Sequence, residues 1–255
     1  NDVLTITATF NEIMVDSPVP QLNISGVDTL SNASMTKVSS TEYTYDYIVS
    51  SGDGTNTITL SNGTDLAGNT ITSSPSSGNT FIVDNTAPTL SSVSLSSNNS
   101  LDTSLAKAND VVTLTFTANE TIQTPIVVFQ SNNLAINDSS ITYQNTSGNT
   151  WTASYTVDSN DSNGYVSYTI DYYDLANNAG STVSSGSGNI TIDTIIPSIS
   201  SFTISDNALK AGETATVTLV FSEEVIGFSS SDDITVVNGS LSTMTSSDNI
   251  TWTGT

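Results

Sequence analysis

The stretch Asp84–Leu95, DNTAPTLSSVSL, recurs 109 positions later as Asp193–Ile204, DTIIPSISSFTI. In both copies an alternating apolar run ends at the aspartate, a proline follows four residues later, and a second alternation begins. Proline fixes φ and lacks a backbone N–H, so it suits a linker or a strand edge and not the interior of a ladder. We therefore interpret the two stretches as linkers between repeated units.

A second repeat shows what the units are made of. The segment 1–12, NDVLTITATFNE, matches 109–120, NDVVTLTFTANE, and 212–223, GETATVTLVFSE. Apolar and polar residues alternate in each copy, and many of them are β-branched. A period of two with β-branched residues is typical of a half-buried strand. The same strand is therefore predicted three times.

The central unit contains enough alternating segments for a complete sandwich. The predicted strands are A at 89–95, B at 111–118, C at 124–130, D at 140–143, E at 150–157, F at 165–172 and G at 188–193. Seven short strands in about 109 residues are typical of an antiparallel β-sandwich. The predicted fold class is all-β, with tandem seven-stranded sandwiches at 1–85, 86–194 and 195–255. The outer two are expected to be incomplete, lacking strand A and the later strands respectively.

Composition limits the partners. The chain has 25 acidic residues, three lysines and neither arginine nor histidine, giving a formal charge of −22. Such a chain repels phosphate, which argues against nucleic acid or an anionic membrane as a partner. The absence of cysteine and histidine excludes disulfides and the usual zinc, haem and iron–sulfur sites. No apolar run approaches the roughly 18 residues of a membrane span, so no membrane insertion is predicted.

The linkers, the repeated first strand and a loop of the form D-x-A-G/N-N, at 65–69 and 174–178, resemble the bacterial Ig-like repeats of large extracellular adhesins. Similar modules occur in prokaryotic surface-layer proteins. The resemblance implies Ig-like sandwiches, an extracellular or cell-surface location, and neighbouring domains of the same chain as partners. It also implies calcium-dependent rigidity.

Acidic residues are predicted to meet at the first linker. In a sandwich of alternating strands, the B–C loop, the F–G loop and the start of strand A lie at one end. That end carries Asp84, Glu120 and Asp174, with Asn178 as a possible carbonyl donor, while the preceding unit adds Asp53. Three converging carboxylates repel one another unless neutralised, and Ca²⁺ accepts six to eight oxygens in adaptable geometry. We therefore predict a structural Ca²⁺ here.

The other repeats carry related acids. The second linker region has Asp161, Asp193 and Glu223, and the first unit has Glu12 and Asp65 beside Asn69. A second interpretation remains open, because Asp and Asn side chains also cap local backbone N–H groups in turns. Asp65, Asp84, Asp174 and Asp193 suit that role as well.

Catalytic and carbohydrate-binding functions are disfavoured. Without histidine or cysteine, the remaining scheme is a glycosidase-type carboxylate pair, and adjacent Glu223 and Glu224 would point to opposite faces. Tyr155, Tyr168 and Tyr172 share the phase of the core residues, and only Tyr173 breaks it. The predicted function is non-enzymatic: a stalk of a large adhesin stiffened by calcium at its junctions. The alternative is a surface-layer or filament subunit that contacts copies of itself.

Overall fold

The computed structural model describes residues 2–138 and 140–255, and within them the chain is all-β apart from one helical turn. The elements are β1 (Val3–Thr9), β2 (Gln21–Gly26), β3 (Leu30–Ser34), β4 (Thr36–Lys37), β5 (Glu42–Ile48), β6 (Gly54–Ser61), β7 (Thr80–Val83), β8 (Leu90–Ser97), β9 (Leu105–Ala106), β10 (Val111–Ala118), β11 (Ile126–Ser131), β12 (Leu134–Ala135), β13 (Thr142–Ser147), β14 (Thr150–Thr156), β15 (Gly164–Asp171), β16 (Thr191–Ile192), β17 (Ile199–Ile204), β18 (Val217–Phe221), α1 (Ser230–Asp233) and β19 (Thr251–Gly254). The chain divides into two compact units, one up to Ile192 and one from Asp193. The all-β prediction is confirmed.

The first compact unit contains two sandwiches with separate cores. In the first sandwich, the sheet β1-β5-β4 faces the sheet β3-β2-β6-β7. Its buried core includes Leu22 and Tyr43, and Phe10 meets the Tyr43 ring edge-on at 5.9 Å between centroids. The buried residues come from alternate strand positions because successive side chains point to opposite faces.

The central sandwich is larger and better buried. Its sheet β13-β14-β10-β8 packs against β12-β11-β15-β16-β9. The Phe129 and Tyr155 rings pack in its core with centroids 4.8 Å apart and their planes tilted by 46°. Tyr168 and Tyr172 are also buried, whereas Tyr173 is 39% exposed. The prediction from residue phase is therefore confirmed for these four aromatics.

A β-bulge explains an irregular apolar spacing in β8. The residues packed on the core are Leu90, Val93 and Leu95, which break strict alternation. The register of β8 against β10 shifts by one residue within this stretch, and Ser92 has φ 53°. An extra residue in one strand returns the following side chains to the core face. The pairing of β17 with β18 has a comparable shift.

Several strand predictions need correction. Strand D, predicted at 140–143, is β13 at Thr142–Ser147, where polar residues obscure the alternation. Strand G, predicted at 188–193, is regular only in β16. This strand pairs antiparallel with β15 but parallel with β9, so the predicted sandwich is not antiparallel throughout. The chain preceding β16 is irregular because Gly188 has φ +79° and runs against the Leu95 carbonyl. The two-residue strand β9 was missed because it is too short to give a periodic signal.

The second compact unit has the three-stranded sheet β17-β18-β19. Leu219 and Met244 are buried in it, and Phe228 contacts the rings of both Phe221 and Trp252. The single helical turn, α1, follows Phe228 and was not anticipated from the sequence. The domain limits 1–85, 86–194 and 195–255 stay predictions.

Candidate metal centre at the first linker

Three carboxylates converge where the first linker enters the central sandwich. Asp84 follows β7, Glu120 follows β10, and Asp174 lies in the loop after β15. One carboxylate oxygen from each residue lies within 4.8 Å of the other two. Asp174 is buried, while Asp84 and Glu120 are half-buried. The structure thus brings together three of the acids predicted for this end of the unit.

The loop holding Asp174 is fixed by its own hydrogen bonds. Asp174 Oδ1 accepts from the Asn178 backbone N–H at 2.8 Å, and Oδ2 accepts from Asn178 Nδ2 at 2.8 Å. Gln123 Nε2 donates to the Asp174 carbonyl at 2.7 Å, and Ile122 forms a bridge with Asp174. These contacts connect the loop after β10, which carries Glu120, to the loop after β15, which carries Asp174. Both loops are therefore held in place.

Asp84 is linked to the same loop. Asn178 Nδ2 donates to the Asp84 carbonyl at 3.0 Å, and Asp84 Oδ1 accepts from the Thr86 N–H at 3.1 Å. The side-chain amide nitrogen of Asn178 therefore connects the linker to the loop after β15. The turn-forming role considered from the sequence is present at both Asp84 and Asp174. It does not use up their acceptors, because a carboxylate offers about four lone-pair sites.

The cluster is electrostatically unfavourable without a cation. Burial raises the pKa of Glu120 above its ordinary value of 4.5, and the charges of Asp84 and Asp174 raise it further. A hydrogen bond from Asn119 opposes this shift. A bound divalent cation would offset both the repulsion and the lost hydration.

Asp53 performs a different task from the one predicted. It is not a member of the carboxylate group, and it accepts from the Asn85 N–H at 2.5 Å and from Thr86 Oγ1 at 2.6 Å. The hydrogen bond from Thr86, followed by that from Asn85, lowers the pKa of Asp53. Asn85 Nδ2 also donates to the Gly52 carbonyl at 3.0 Å. This side of the linker is thereby attached to the first sandwich.

The acids predicted for the second linker belong to different compact units. In the first unit, Asp161 is buried and accepts from Asn137 N–H at 2.7 Å and Asp158 N–H at 2.9 Å, which makes it a turn former. In the second unit, Asp193 Oδ1 accepts from the Ile195 N–H at 3.0 Å. The Glu223 Oε1 atom is buried and has no hydrogen-bond partner among the described residues.

In the first sandwich, Glu12 and Asp65 both line a surface cavity of about 400 Å³. Asp65 accepts from the Asn69 N–H at 2.8 Å and from Asn69 Nδ2 at 2.7 Å, as Asp174 does from Asn178. These bonds, the side-chain bond first, lower the pKa of Asp65. The hydrogen bonding of the Asp174 loop is therefore repeated at Asp65 and Asn69.

Asn119 is among the residues that position the linker and that sequence reasoning missed. Asn119 Oδ1 accepts from the Thr89 N–H at 2.7 Å, and the Asn119 N–H donates to the Thr89 carbonyl at 3.0 Å. The available signal was the dipeptide Asn-Glu after the repeated strand, which occurs at 11–12 and 119–120.

Residues 193–255 match the family model of the bacterial Ig-like domain. The resemblance to bacterial Ig-like repeats is confirmed for that segment, which contains the third copy of the repeated strand. No curated protein matches this chain. No helix among the described residues is long and apolar enough to cross a membrane.

Similar solved structures are tandem Ig proteins. A chimeric titin Z1Z2 carrying an exogenous decorin peptide is 13% identical, covering 76% of this chain and 89% of that one, with a TM-score of 0.32. The mouse nectin-like molecule 4 ectodomain (Ig1–Ig3) is 11% identical, covering 86% and 72%, with a TM-score of 0.29. Titin tandem A164–A165 is 12% identical, covering 76% and 89%, with a TM-score of 0.24.

Proposed function

We propose that this chain is a non-enzymatic segment of an extracellular stalk, in which tandem Ig-like sandwiches hold the tip of a large surface adhesin away from the cell. Calcium at the linker stiffens the stalk. The observation that carries the proposal is the convergence of Asp84, Glu120 and Asp174 on a linker bonded to both flanking sandwiches.

The linker contacts support a load-bearing role. On one side Asp53 accepts from Asn85 and Thr86, and on the other Asn178 donates to the Asp84 carbonyl and Asn119 pairs with Thr89. A short segment bonded at both ends has few ways to bend. The linker differs in this respect from a flexible Gly/Ser-rich connection.

The donor chemistry favours calcium over other metals. All three side chains offer hard carboxylate oxygens, and no thiol or imidazole exists in the chain. Oxygens bound to one Ca²⁺ at about 2.3–2.6 Å lie up to roughly 5 Å apart, and one oxygen of each of the three carboxylates lies within 4.8 Å of the other two. Ca²⁺ also tolerates the irregular geometry of a linker better than Mg²⁺.

The test combines small-angle scattering with calorimetry on the whole chain, in CaCl₂ and in EDTA. We expect calcium to lengthen the maximum dimension and raise the melting temperature. Glu120→Gln should lose both responses, whereas the exposed control Glu224→Gln should keep them. Identical scattering and melting of the wild type in both buffers would remove calcium from the proposal.

A subunit of a surface layer or filament is the second candidate. It is favoured by β17, in which Ile199, Phe202 and Ile204 are 63%, 50% and 51% exposed. Exposed apolar patches of this kind mark contact surfaces. Sedimentation velocity over a wide concentration range distinguishes the two candidates. A stalk segment stays monomeric, whereas a subunit forms larger species. The Phe202→Ser variant of such a subunit should stay monomeric.

A further inference from the structure

A buried pair of polar side chains lies in the first sandwich, close to the loop that holds the first linker. Asp28, between β2 and β3, is 5% exposed, and Asn56 of β6 is completely buried. The Asp28 N–H donates to Asn56 Oδ1 at 2.9 Å, and Asn56 Nδ2 donates to Asp28 Oδ2 at 3.1 Å. Burying polar groups is costly unless they are hydrogen-bonded, and these two side chains bond to each other.

The Asp28 carboxylate also bonds to the end of β5 and to the loop at 49–53 that connects β5 to β6. Ser50 Oγ donates to Asp28 Oδ1. Ser50 Oγ in turn accepts from the Gly52 N–H at 3.2 Å. Burial, followed by a hydrogen bond to Asp28, raises the pKa of Tyr47 above its ordinary value of 10.0. One carboxylate therefore attaches this loop to the interior of the first sandwich.

The outer side of the same loop holds the linker. Asn85 Nδ2 donates to the Ser50 carbonyl at 3.5 Å. Asp53 uses one carboxylate oxygen to accept from the Asn85 N–H and the other to accept from Thr86 Oγ1. A continuous path of hydrogen bonds therefore runs from the buried pair, through the loop, to the linker.

The central sandwich lacks the buried pair and uses its own loop acid differently. The pairing of Gly26 with Asn56 at the end of β2 corresponds to the pairing of Ser131 with Val166 at the end of β11, so a valine replaces the asparagine. Asp161, the acid predicted for the second linker region, instead accepts from two backbone N–H groups of its own sandwich. Where the buried pair is absent, the acid of the loop holds the loop itself.

We propose that Asp28 is the positioning residue of the first linker. Supported by Asn56, it fixes the loop at 49–53 from the inside, so that Asp53 can bond to the linker. A binding side chain keeps its geometry only when its support is itself locked by packing and hydrogen bonds. The inference rests on the proposed function in assigning stiffness to the linker, and it adds a means of holding the linker that needs no calcium.

The test measures hydrogen exchange of the Asn85 amide and the carboxyl pKa of Asp53 by NMR, on the whole chain in EDTA. In Asp28→Ala we expect Asn85 exchange to become several-fold faster. The pKa of Asp53 should rise toward its ordinary value of 3.8, because the bonds from Thr86 and Asn85 that lower it are weakened. Since calcium is absent, these effects support the proposal even if the stalk shows no calcium response.

A double variant shows whether Asp28 acts through Asp53. In the Asp53→Ala background, Asp28→Ala should change Asn85 exchange by less than about twofold, because both residues act on one contact. The matched control is Asp161→Ala, which removes an acid of similar burial, 4% exposed, from the central sandwich. This control should leave Asn85 exchange at the wild-type rate.

The variant Ser50→Ala separates positioning from general folding. It removes the hydroxyl between Asp28 and the loop but keeps the buried pair, so Asn85 exchange should accelerate while the amides of β6 stay protected. Three results would overturn the proposal. They are unchanged Asn85 exchange in both Asp28→Ala and Ser50→Ala, additive effects in the double variant, and equal acceleration throughout β6 in Ser50→Ala.

Discussion

The strands β1 and β10 share one sequence pattern but differ in burial. In β10, Val112, Leu114 and Phe116 are all fully buried. In β1 only Ile6 is buried, while Leu4 and Ala8 remain half-buried. The difference arises from β8, which covers one edge of β10 and packs on its inner face. Alternation therefore specifies which face turns inward, and a neighbouring strand completes the burial.

The largest expected effect comes from truncating the matched core positions. Leu114→Ala should lower the free energy of unfolding by about 4 kcal/mol, because the residues around a fully packed site cannot move in to fill the cavity. Ile6→Ala should cost about 2 kcal/mol, since the open groove beside it allows relaxation. Urea unfolding of both variants measures the difference. Equal losses would show that β8 contributes little to packing at this position.

The next effect concerns the two acidic loop clusters. At a free calcium concentration of 100 times Kd, binding should stabilise the wild type by about 2.7 kcal/mol. Glu120→Gln should lose most of this gain because only two carboxylates remain. Glu12→Gln should retain it, since Glu12 belongs to no group of three converging carboxylates in the described chain. Calorimetry in CaCl₂ and EDTA compares them, and a calcium response that depends equally on both residues would contradict the assignment.

A smaller effect is expected at the linker itself. Asp53→Ala removes the acceptor of the Asn85 and Thr86 bonds, so hydrogen exchange at the Asn85 amide should accelerate several-fold with little loss of overall stability. Asp102→Ala, which removes an exposed local cap of Ser104, is the control and should leave Asn85 unaffected. Unchanged exchange at Asn85 in Asp53→Ala would show that the linker is held by other contacts.

The smallest effect is a pH dependence set by Glu120. Its raised pKa means that the metal-free folded state binds more protons than the unfolded state between 4.5 and the raised value. The stability contributed by this group therefore falls as pH rises through that window. Glu120→Gln should lack this fall, and calcium affinity of the wild type should rise over the same window. Urea midpoints measured in EDTA at several pH values test this prediction. Parallel pH profiles of stability for the wild type and Glu120→Gln would show that Glu120 does not cause the pH dependence.

Much of the site could be predicted because consecutive strands of a sandwich alternate in direction, so the order of the strands tells which loops share one end. The loops after β10 and β15 and the start of β8 must share one end, which predicts that Asp84, Glu120 and Asp174 meet. The roles of Asp53 and Asp161 were not predictable in the same way. Both carboxylates accept hydrogen bonds from backbone N–H groups outside the cluster. These N–H groups lie in loops whose paths depend on tertiary packing.

The amino-acid sequence alone determined the all-β class, the repeating unit and the inward face of most strands. These properties follow from a period of two, from prolines and from repeats, all of which act locally along the chain. Only the tertiary structure decided how deeply each face is buried and which acids come within 4.8 Å of one another. Those outcomes depend on contacts between residues far apart in sequence, such as Asn178 with Asp84, and no local pattern encodes them.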